Sequence, residues 1–288
     1  RDVERSRGLG DVYKRQPLRY FRPKGPLELR EALRQCRRLC MPWRALGGGS
    51  NVLVEDGRLP FAVIHMEEPS FAWIRRTGAT RLRAGAGARI VSLLAFCRRE
   101  ELEGLEFLAG LPGTVGGAIA GNAGARGKAV ADALRRVWTM TPDGRCVVSA
   151  SEELRFGYRH AEFGEALLME AEFELARGDR KLIALRMGDC ARARRDNQPI
   201  GISSAGCIFK NPPGCTAGAL LERCGMKGRR IGGAEVSAEH ANFILNRGAA
   251  SSRDVLELIR EMKEAVRSRF GIELELEVRH WPAERRAA

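Results

Sequence analysis

The sequence has few aromatic residues and no long apolar run, and each shortage argues against a class of protein. Aromatic residues make up 6% of the 288 residues, which is little for the stacking surfaces that bind single-stranded nucleic acids. No apolar run approaches the roughly 20 residues that span a bilayer, and residues 1–22 are polar and basic without a secretory core. We therefore expect a cytoplasmic protein that binds neither membrane nor nucleic acid.

Lysine is also scarce, although the chain is basic. The formal net charge is +13, yet only 7 of the 49 basic residues are lysine. The arginines alternate with glutamate along helical segments, as in residues 260–269, which is typical of solvated faces with i,i+4 ion pairs. Binding to DNA that depends strongly on salt would revive a nucleic-acid hypothesis, but a positive field equally attracts small anions such as nucleotides.

The eight cysteines form no CxxC pair, and no histidine lies at zinc-finger spacing. This pattern argues against a structural zinc site, and no metal is predicted. We expect reduced thiols, most of them buried as small apolar side chains.

Hydrophobic periodicity predicts alternating helices and strands, hence a mixed α+β fold. Ser251 is the expected N-cap of the last helix and Gly271 its C′ residue. A turn is expected at Pro142-Asp143-Gly144, and Gln198-Pro199 is a candidate domain boundary. Helices are predicted at 26–39, 89–102, 180–195, 216–225 and 252–269, strands at 18–21, 43–46, 52–54, 61–66, 134–148, 166–175 and 272–279, and a loop at 109–127.

Two glycine-rich segments predict a site for a phosphate-bearing ligand. The first is Gly47-Gly-Gly-Ser-Asn51, between two apolar runs, and the second extends from Ala109 to Gly124. Consecutive glycines let backbone N–H groups approach an anion closely. Neither segment is a Walker A loop or a Rossmann GxGxxG, and each alone also suits an ordinary glycine loop. In the second segment Leu111, Val115 and Ile119 recur every four residues, which indicates packed chain rather than a flexible linker.

A third segment, Ser203–Pro213, clusters a thiol, an ammonium group and an amide in Cys207, Lys210 and Asn211. An isolated cysteine is more often a buried structural thiol. With the two polar neighbours, a functional site is the better interpretation.

These segments resemble the MurB family of UDP-N-acetylenolpyruvoylglucosamine reductases. The resemblance rests on the GGGSN turn, on GLEFLAGLPGTVGGA from Gly104, on FGYR from Phe156, on SAGCIFKNP from Ser204, on IGGAEVSAEHANFI from Ile231 and on FGIELELEVR from Phe270. The matches follow one another in the family's order from about residue 17 to 281.

The resemblance implies a two-lobed FAD-binding domain of the vanillyl-alcohol-oxidase (PCMH) type, followed by a smaller α+β substrate-binding domain. It also implies an NADPH-dependent enzyme that reduces UDP-N-acetylglucosamine enolpyruvate to UDP-N-acetylmuramate for peptidoglycan synthesis, and we expect a monomer. The corresponding boundaries are 17–178 for the FAD domain (lobes about 17–66 and 67–178), 179–270 for the substrate domain with its leading helix, and 271–288 for a terminal strand and tail.

The family's catalytic residues correspond to Arg159, Cys207 and Glu277. Arg159 would grip the substrate carboxylate as negative charge develops, and Glu277 would hydrogen-bond it. Cys207 occupies the position of the proton donor, where the family more often has serine. A thiol is the stronger acid and is mostly protonated at neutral pH.

The resemblance also implies the ligand-binding residues. FAD would be held by the two glycine segments, and the UDP-sugar by side chains around the third segment. The predicted FAD residues are Gly47, Gly48, Gly49, Ser50, Asn51, Gly110, Pro112, Gly113, Thr114, Gly116, Gly117, Asn122, Ala123 and Gly124; the predicted substrate residues are Tyr158, Lys210, Asn211 and His240.

Two departures from the family pattern leave a second hypothesis open. The family usually opens with a Thr-x-Arg-x-Gly-Gly segment, whereas residues 1–16 here suggest non-native sequence or a disordered arm. Ala161 stands where serine is common. The second hypothesis is therefore a protein that binds flavin or nucleotide without turnover. Another oxidase of the same flavin fold is a third, against which the Cys207–Pro212 motif argues.

Overall fold

The computed structural model describes residues 16–199 and 201–284, so the interpretation of residues 1–15 lies outside the described residues. Contacts between Cα atoms divide the chain into two compact units. We call Leu18–Gly48 with Phe61–Arg194 the large unit, and residues 16–17 with Gly49–Pro60, 195–199 and 201–284 the small unit. The units interleave along the sequence, and the predicted domain boundaries stay a prediction.

Six α-helices lie in the described residues; five of them lie close to the five predicted helices, and one was not predicted. None of these helices is long and apolar enough to cross a membrane. They are α1 (Pro26–Arg38), α2 (Ile90–Arg99), α3 (Val115–Ala120), α4 (Arg180–Asn197), α5 (Ala217–Arg223) and α6 (Ser252–Phe270).

The strands of the described residues are short, and several have only two residues. They are β1 (Gln16–Phe21), β2 (Trp43–Leu46), β3 (Val52–Val54), β4 (Arg58–His65), β5 (Ile74–Arg76), β6 (Arg81–Gly85), β7 (Leu102–Glu103), β8 (Gly124–Ala125), β9 (Lys128–Ala129), β10 (Leu134–Met140), β11 (Cys146–Ala150), β12 (Arg155–Gly157), β13 (His160–Glu162), β14 (Leu167–Glu174), β15 (Ala176–Arg177), β16 (Ser204–Cys207), β17 (Arg230–Ile231), β18 (Ala234–Val236), β19 (Phe243–Asn246) and β20 (Arg279–Trp281).

The large unit is built on an antiparallel sheet in the order β11-β10-β14-β6-β5 and a second sheet in the order β1-β4-β2. In the second sheet β2 and β4 are parallel. The apolar faces of α2 and α3 pack on the first sheet, where Leu93, Ile119 and Val137 are almost fully buried. A separate cluster joins Leu29 and Leu33 of α1 to β4 and β14.

The small unit packs α5 and α6 on the antiparallel sheet β16-β19-β18-β17. The segment Gly49–Pro60 joins this unit because β3 pairs in parallel with β20 near the end of the chain. Asp56 also accepts hydrogen bonds from the backbone N–H and the hydroxyl of Ser252, at 2.7 and 2.8 Å.

Two element predictions are wrong in part. The expected loop at 109–127 contains α3 and the hairpin β8-β9, because Thr114 caps the helix and Val115 and Ile119 are buried four residues apart. The expected strand at 272–279 reduces to β20 and one bridge between Phe209 and Leu276. Leu274 and Val278, two of its alternating apolar residues, are indeed buried. The backbone hydrogen bonds of this segment, however, are made to residues outside regular strands, such as Ile208 and Asn51.

The predicted caps of α6 are confirmed. The Ser251 hydroxyl accepts from the Asp254 N–H at 3.1 Å, Asp254 accepts from the Ser251 N–H, and Gly271 has φ +68°. The predicted turn at residues 142–144 is confirmed as well, between β10 and β11.

Replacing Ser251 with alanine should lower the free energy of unfolding by about 1 kcal/mol, because the backbone N–H of Asp254, in the first turn of α6, loses its hydrogen-bond acceptor. Urea unfolding of the purified chain measures this change. Ser268→Ala is the matched control, since Ser268 is exposed within the same helix. Equal midpoints for the two variants would contradict the capping role.

Candidate active site

The two glycine segments predicted from the sequence contact each other in the large unit. A Cβ on Gly47 would lie 2.5 Å from Thr114 Oγ1, and one on Gly48 would lie 2.9 Å from the Gly113 Cα. Real Cβ atoms do not approach other atoms this closely, so glycine at both positions allows this turn to pack against Gly113 and the Thr114 side chain. The two segments therefore form one continuous surface, which we call the glycine surface.

The backbone N–H groups at the start of α3 donate hydrogen bonds to other groups of the protein. Val115 N–H donates to Ala88 O and Gly116 N–H to Ala86 O, both at 2.8 Å. Gly117 N–H donates to Thr114 Oγ1 at 3.3 Å. Gly116 also packs tightly, since an added Cβ would lie 2.9 Å from the Ala86 Cβ. The predicted residues Gly116 and Gly117 thus have a clear structural task beside any task in binding.

The end of the second segment holds the hairpin β12-β13. Asn122 has φ +38°, its Nδ2 donates to Gly157 O at 3.0 Å, and its Oδ1 accepts from Ala131 N–H at 3.2 Å. Arg159 Nη1 donates to Gly124 O at 3.2 Å. The predicted flavin segment and the predicted catalytic arginine are therefore directly connected.

Arg159 occupies the two-residue turn of that hairpin with φ +59°, in the left-handed region that non-glycine residues rarely adopt. Its guanidinium carbon lies 5.4 Å from the centroid of the Tyr158 ring, and Tyr158 is 55% exposed. Ala161, at the position where the family often has serine, is buried opposite Phe156.

In the small unit, Cys207 ends β16 and pairs with Phe243 of β19 across a bulge. Its side chain is half-buried. Gly206 has φ +76°, and an added Cβ would lie 3.9 Å from Ser50 O. The end of the GGGSN turn thus lies beside the proposed proton donor.

Asn242 holds this segment in place, and its importance was missed at the sequence level. The residue is 1% exposed; its Oδ1 accepts from Phe209 N–H at 2.9 Å and its Nδ2 donates to Phe209 O at 2.8 Å. Its backbone oxygen accepts from Ile208 N–H at 2.9 Å. Asn242 does lie in one of the matched motifs, but its spacing alone does not distinguish it from other polar loop residues.

The segment that contains Glu277 is hydrogen-bonded to Ile208, the residue after Cys207. Glu277 N–H donates to Ile208 O at 2.8 Å, and Asn51 Nδ2 donates to Glu277 O at 3.1 Å. Arg279 N–H in turn donates to Asn51 O at 3.0 Å. Asn51, predicted to bind FAD, therefore fixes the backbone around Glu277.

The predicted substrate residues of the small unit have different partners. Lys210 Nζ lies 3.1 Å from the exposed carboxylate of Glu275, and Asn211 Oδ1 accepts from Ala217 N–H at the start of α5, at 3.0 Å. His240 packs edge-on against Phe243. An added Cβ on Gly218 would lie 3.1 Å from the His240 ring, so that glycine leaves room for it.

Burial lowers the pKa of His240, and the nearby Lys227 charge lowers it further. Its Nδ1 accepts from Asn242 N–H at 3.2 Å. A neutral ring with Nδ1 as acceptor carries its proton on Nε2, so it offers one hydrogen-bond donor to a ligand.

The predicted residues thus fall into two groups, each assembled within one unit. The large-unit group contains Gly47, Gly48, Gly110, Pro112, Gly113, Thr114, Gly116, Gly117, Asn122, Ala123, Gly124, Tyr158 and Arg159; the small-unit group contains Gly49, Ser50, Asn51, Cys207, Lys210, Asn211, His240 and Glu277. Across residues 16–199 and 201–284, no three His, Cys, Asp or Glu side chains cluster as metal ligands would.

Known proteins resemble this chain over most of its length. Residues 17–150 match an FAD binding domain, and residues 198–281 match the C-terminal domain of UDP-N-acetylenolpyruvoylglucosamine reductase. The reductase of that name from Heliobacterium modesticaldum is 42% identical over 260 residues, which cover 89% of this chain and 82% of that protein. The chain belongs to the MurB family.

Further comparisons agree with this family. The UDP-N-acetylenolpyruvoylglucosamine reductase of Geotalea uraniireducens is 41% identical over 259 residues, covering 89% of this chain and 85% of that protein. The crystal structure of MurB from Thermus caldophilus matches with a TM-score of 0.79 and 39% identity, over 91% of this chain and 92% of that one. The expected family, the α+β class and the FAD-binding domain are confirmed.

The residues of the glycine surface suit the FAD that a MurB protein carries. Gly48 packs against the Gly113 backbone, and Gly47 packs against the Thr114 side chain. Such a glycine-rich surface lets a diphosphate and a flat ring approach main-chain groups closely. We therefore assign the flavin to this surface as a proposal, with Asn122 and Gly124 supporting its far end.

Gly48→Ala should destabilise the chain by about 1–3 kcal/mol and weaken flavin retention, because its Cβ forces the Gly113 backbone away. Thermal unfolding with and without added FAD measures both effects. Gly188→Ala is the control, since that glycine lies within α4 with no other atom near its Cβ position. Wild-type stability and flavin content in Gly48→Ala would show that the close approach is not required.

Proposed function

We propose that this chain reduces UDP-N-acetylglucosamine enolpyruvate to UDP-N-acetylmuramate with NADPH, as a monomeric cytoplasmic enzyme of peptidoglycan precursor synthesis. Membership of the MurB family and the names of its relatives support the substrate. The chain also has an acid, a carboxylate and a cation for this reaction in Cys207, Glu277 and Arg159.

The observation that carries the proposal is the bond between the segments of Cys207 and Glu277. Glu277 N–H donates to Ile208 O, one residue beyond Cys207, at 2.8 Å. Asn51 and the buried Asn242 fix the two segments from either side. Because the two segments are hydrogen-bonded to each other, the acid and the carboxylate that they carry are held in a fixed geometry. Proton transfer requires such fixed positions.

Each residue has a chemical role in the proposed reaction. When bound, FAD supplies the hydride for C3 of the enolpyruvyl group, with NADPH as the source of electrons. Cys207 donates its thiol proton to C2, so that the double bond becomes a single bond with one hydrogen added to each carbon. Arg159 forms a bidentate contact with the carboxylate, whose negative charge rises before C2 is protonated.

Glu277 assists at the same carboxylate through a hydrogen bond from its protonated form or through a cation between the two groups. Lys210, Asn211, His240 and Tyr158 would hold the diphosphate and sugar. The pair between Lys210 and Glu275 suits this role, because Glu275 is exposed and an exposed ion pair is weak enough to yield to a phosphate.

An anaerobic visible spectrum tests the proposed function. NADPH should bleach the flavin band of the purified chain, and UDP-N-acetylglucosamine enolpyruvate should then restore it. A flavin that bleaches but does not respond to the sugar would contradict the substrate. Failure of the chain to take up FAD would contradict the function for this chain, and flavin binding without NADPH oxidation would favour a protein without turnover.

Replacing Cys207 tests the proton donor. Cys207→Ala should lower kcat by about 10²–10⁴, because general-acid catalysis is lost, while bleaching by NADPH keeps its rate. Cys207→Ser restores a proton donor of nearly the same size and should recover most of the loss. Stopped-flow measurement of the two half-reactions separates these effects. Unchanged turnover in Cys207→Ala would exclude this residue as the donor.

A further inference from the structure

Arginine side chains hold both ends of the glycine segment from Ala109 to Gly124. At its end, Arg159 Nη1 donates to Gly124 O at 3.2 Å. At its start, Arg194 Nη1 of α4 donates to Ala109 O. Arg194 was not among the residues predicted from the sequence, where it looks like one more arginine of a basic helix.

The side chain of Arg194 lies directly against the next residue of the segment. Gly110 has φ +84°, and a Cβ built on it would lie 3.4 Å from both the Arg194 Cδ and the Ala191 Cα. This close approach places the guanidinium beside the turn that leads to Pro112 and Gly113. Arg194 is thus a component of the glycine surface.

The charge of Arg194 is not balanced by a carboxylate. Burial lowers the pKa of Arg194, and the like charges of Arg126 and Arg159 lower it further. Within residues 16–199 and 201–284, Arg194 has no acidic partner, whereas Arg186 and Arg192 of the same helix pair with Glu103 and Asp189. Partly buried positive charge without a counter-ion is costly unless an anion arrives.

We propose that Arg194 binds a diphosphate at the glycine surface. This inference rests on the proposed function, which offers two diphosphates, one in FAD and one in the UDP-sugar. Arg159 stays with the substrate carboxylate, so Arg194 is the cation that the glycine surface offers to a diphosphate. A guanidinium also presents two parallel N–H groups to phosphate oxygens, which explains arginine rather than lysine at position 194.

Binding experiments with Arg194→Gln and Arg194→Lys test this site. Arg192→Gln is the matched control, since Arg192 is an exposed arginine on the same helix. FAD is titrated into the flavin-free chain by fluorescence, and UDP is titrated into the flavin-loaded chain by calorimetry. The unfolding temperature of each flavin-free variant reports any structural damage.

Arg194→Gln should weaken binding of FAD or of UDP by about tenfold or more relative to Arg192→Gln, because a charge-assisted pair is lost. The affected ligand identifies which diphosphate is bound. Arg194→Lys should recover part of the affinity, and the unfolding temperatures of the flavin-free variants should agree.

Two results would overturn the proposal. One is affinity for both ligands equal to that of the Arg192→Gln control. The other is an affinity loss that accompanies a lower unfolding temperature and that lysine does not repair, since Arg194 would then only support the Ala109 carbonyl. These binding measurements need no turnover, so failure of the proposed reaction would be distinguished from failure of the diphosphate site.

Discussion

The close approach of two backbones in the large unit is the constraint on which the flavin surface depends. Gly47 and Gly48 meet Gly113 and Thr114 at distances that no larger residue allows. This contact joins two segments about 65 positions apart in sequence, and the proposed flavin site is built on it. The short helix α3, which begins at Val115, then turns the chain away and buries its apolar side chains in the core.

The small unit depends on a different interaction, in which a buried polar side chain forms hydrogen bonds with the backbone of a segment outside regular secondary structure. Asn242 makes two side-chain hydrogen bonds to Phe209 and is almost fully enclosed. A buried amide with satisfied partners fixes one backbone geometry, because every alternative leaves a polar group without a partner. The chain between Cys207 and Lys210 is thereby held for pairing with the segment around Glu277, and a regular strand is not needed there.

The arginines differ in the groups to which they donate hydrogen bonds: some pair with carboxylates, and others bond to backbone carbonyl groups. Several arginines on the helices have an acidic neighbour, as Arg186 and Arg267 do, and such exposed pairs contribute little to stability. Arg159 and Arg194 instead donate hydrogen bonds to the backbone carbonyl groups of Gly124 and Ala109, at the two ends of the glycine segment. The high net charge of the chain therefore conceals a small set of cations placed at the proposed ligand site.

The sequence by itself determined the positions of five of the six α-helices in the described residues, the caps of α6 at Ser251 and Gly271, the two glycine segments and, through its motifs, the family. These features are local, since periodicity, capping and glycine runs act within a few residues. Only the tertiary structure decided that Gly48 meets Gly113, that Asn51 bonds to Glu277, that Asn242 supports Phe209 and that Arg194 reaches Ala109. Each of these contacts joins residues more than 30 positions apart, and no local pattern encodes which distant residue a side chain will meet.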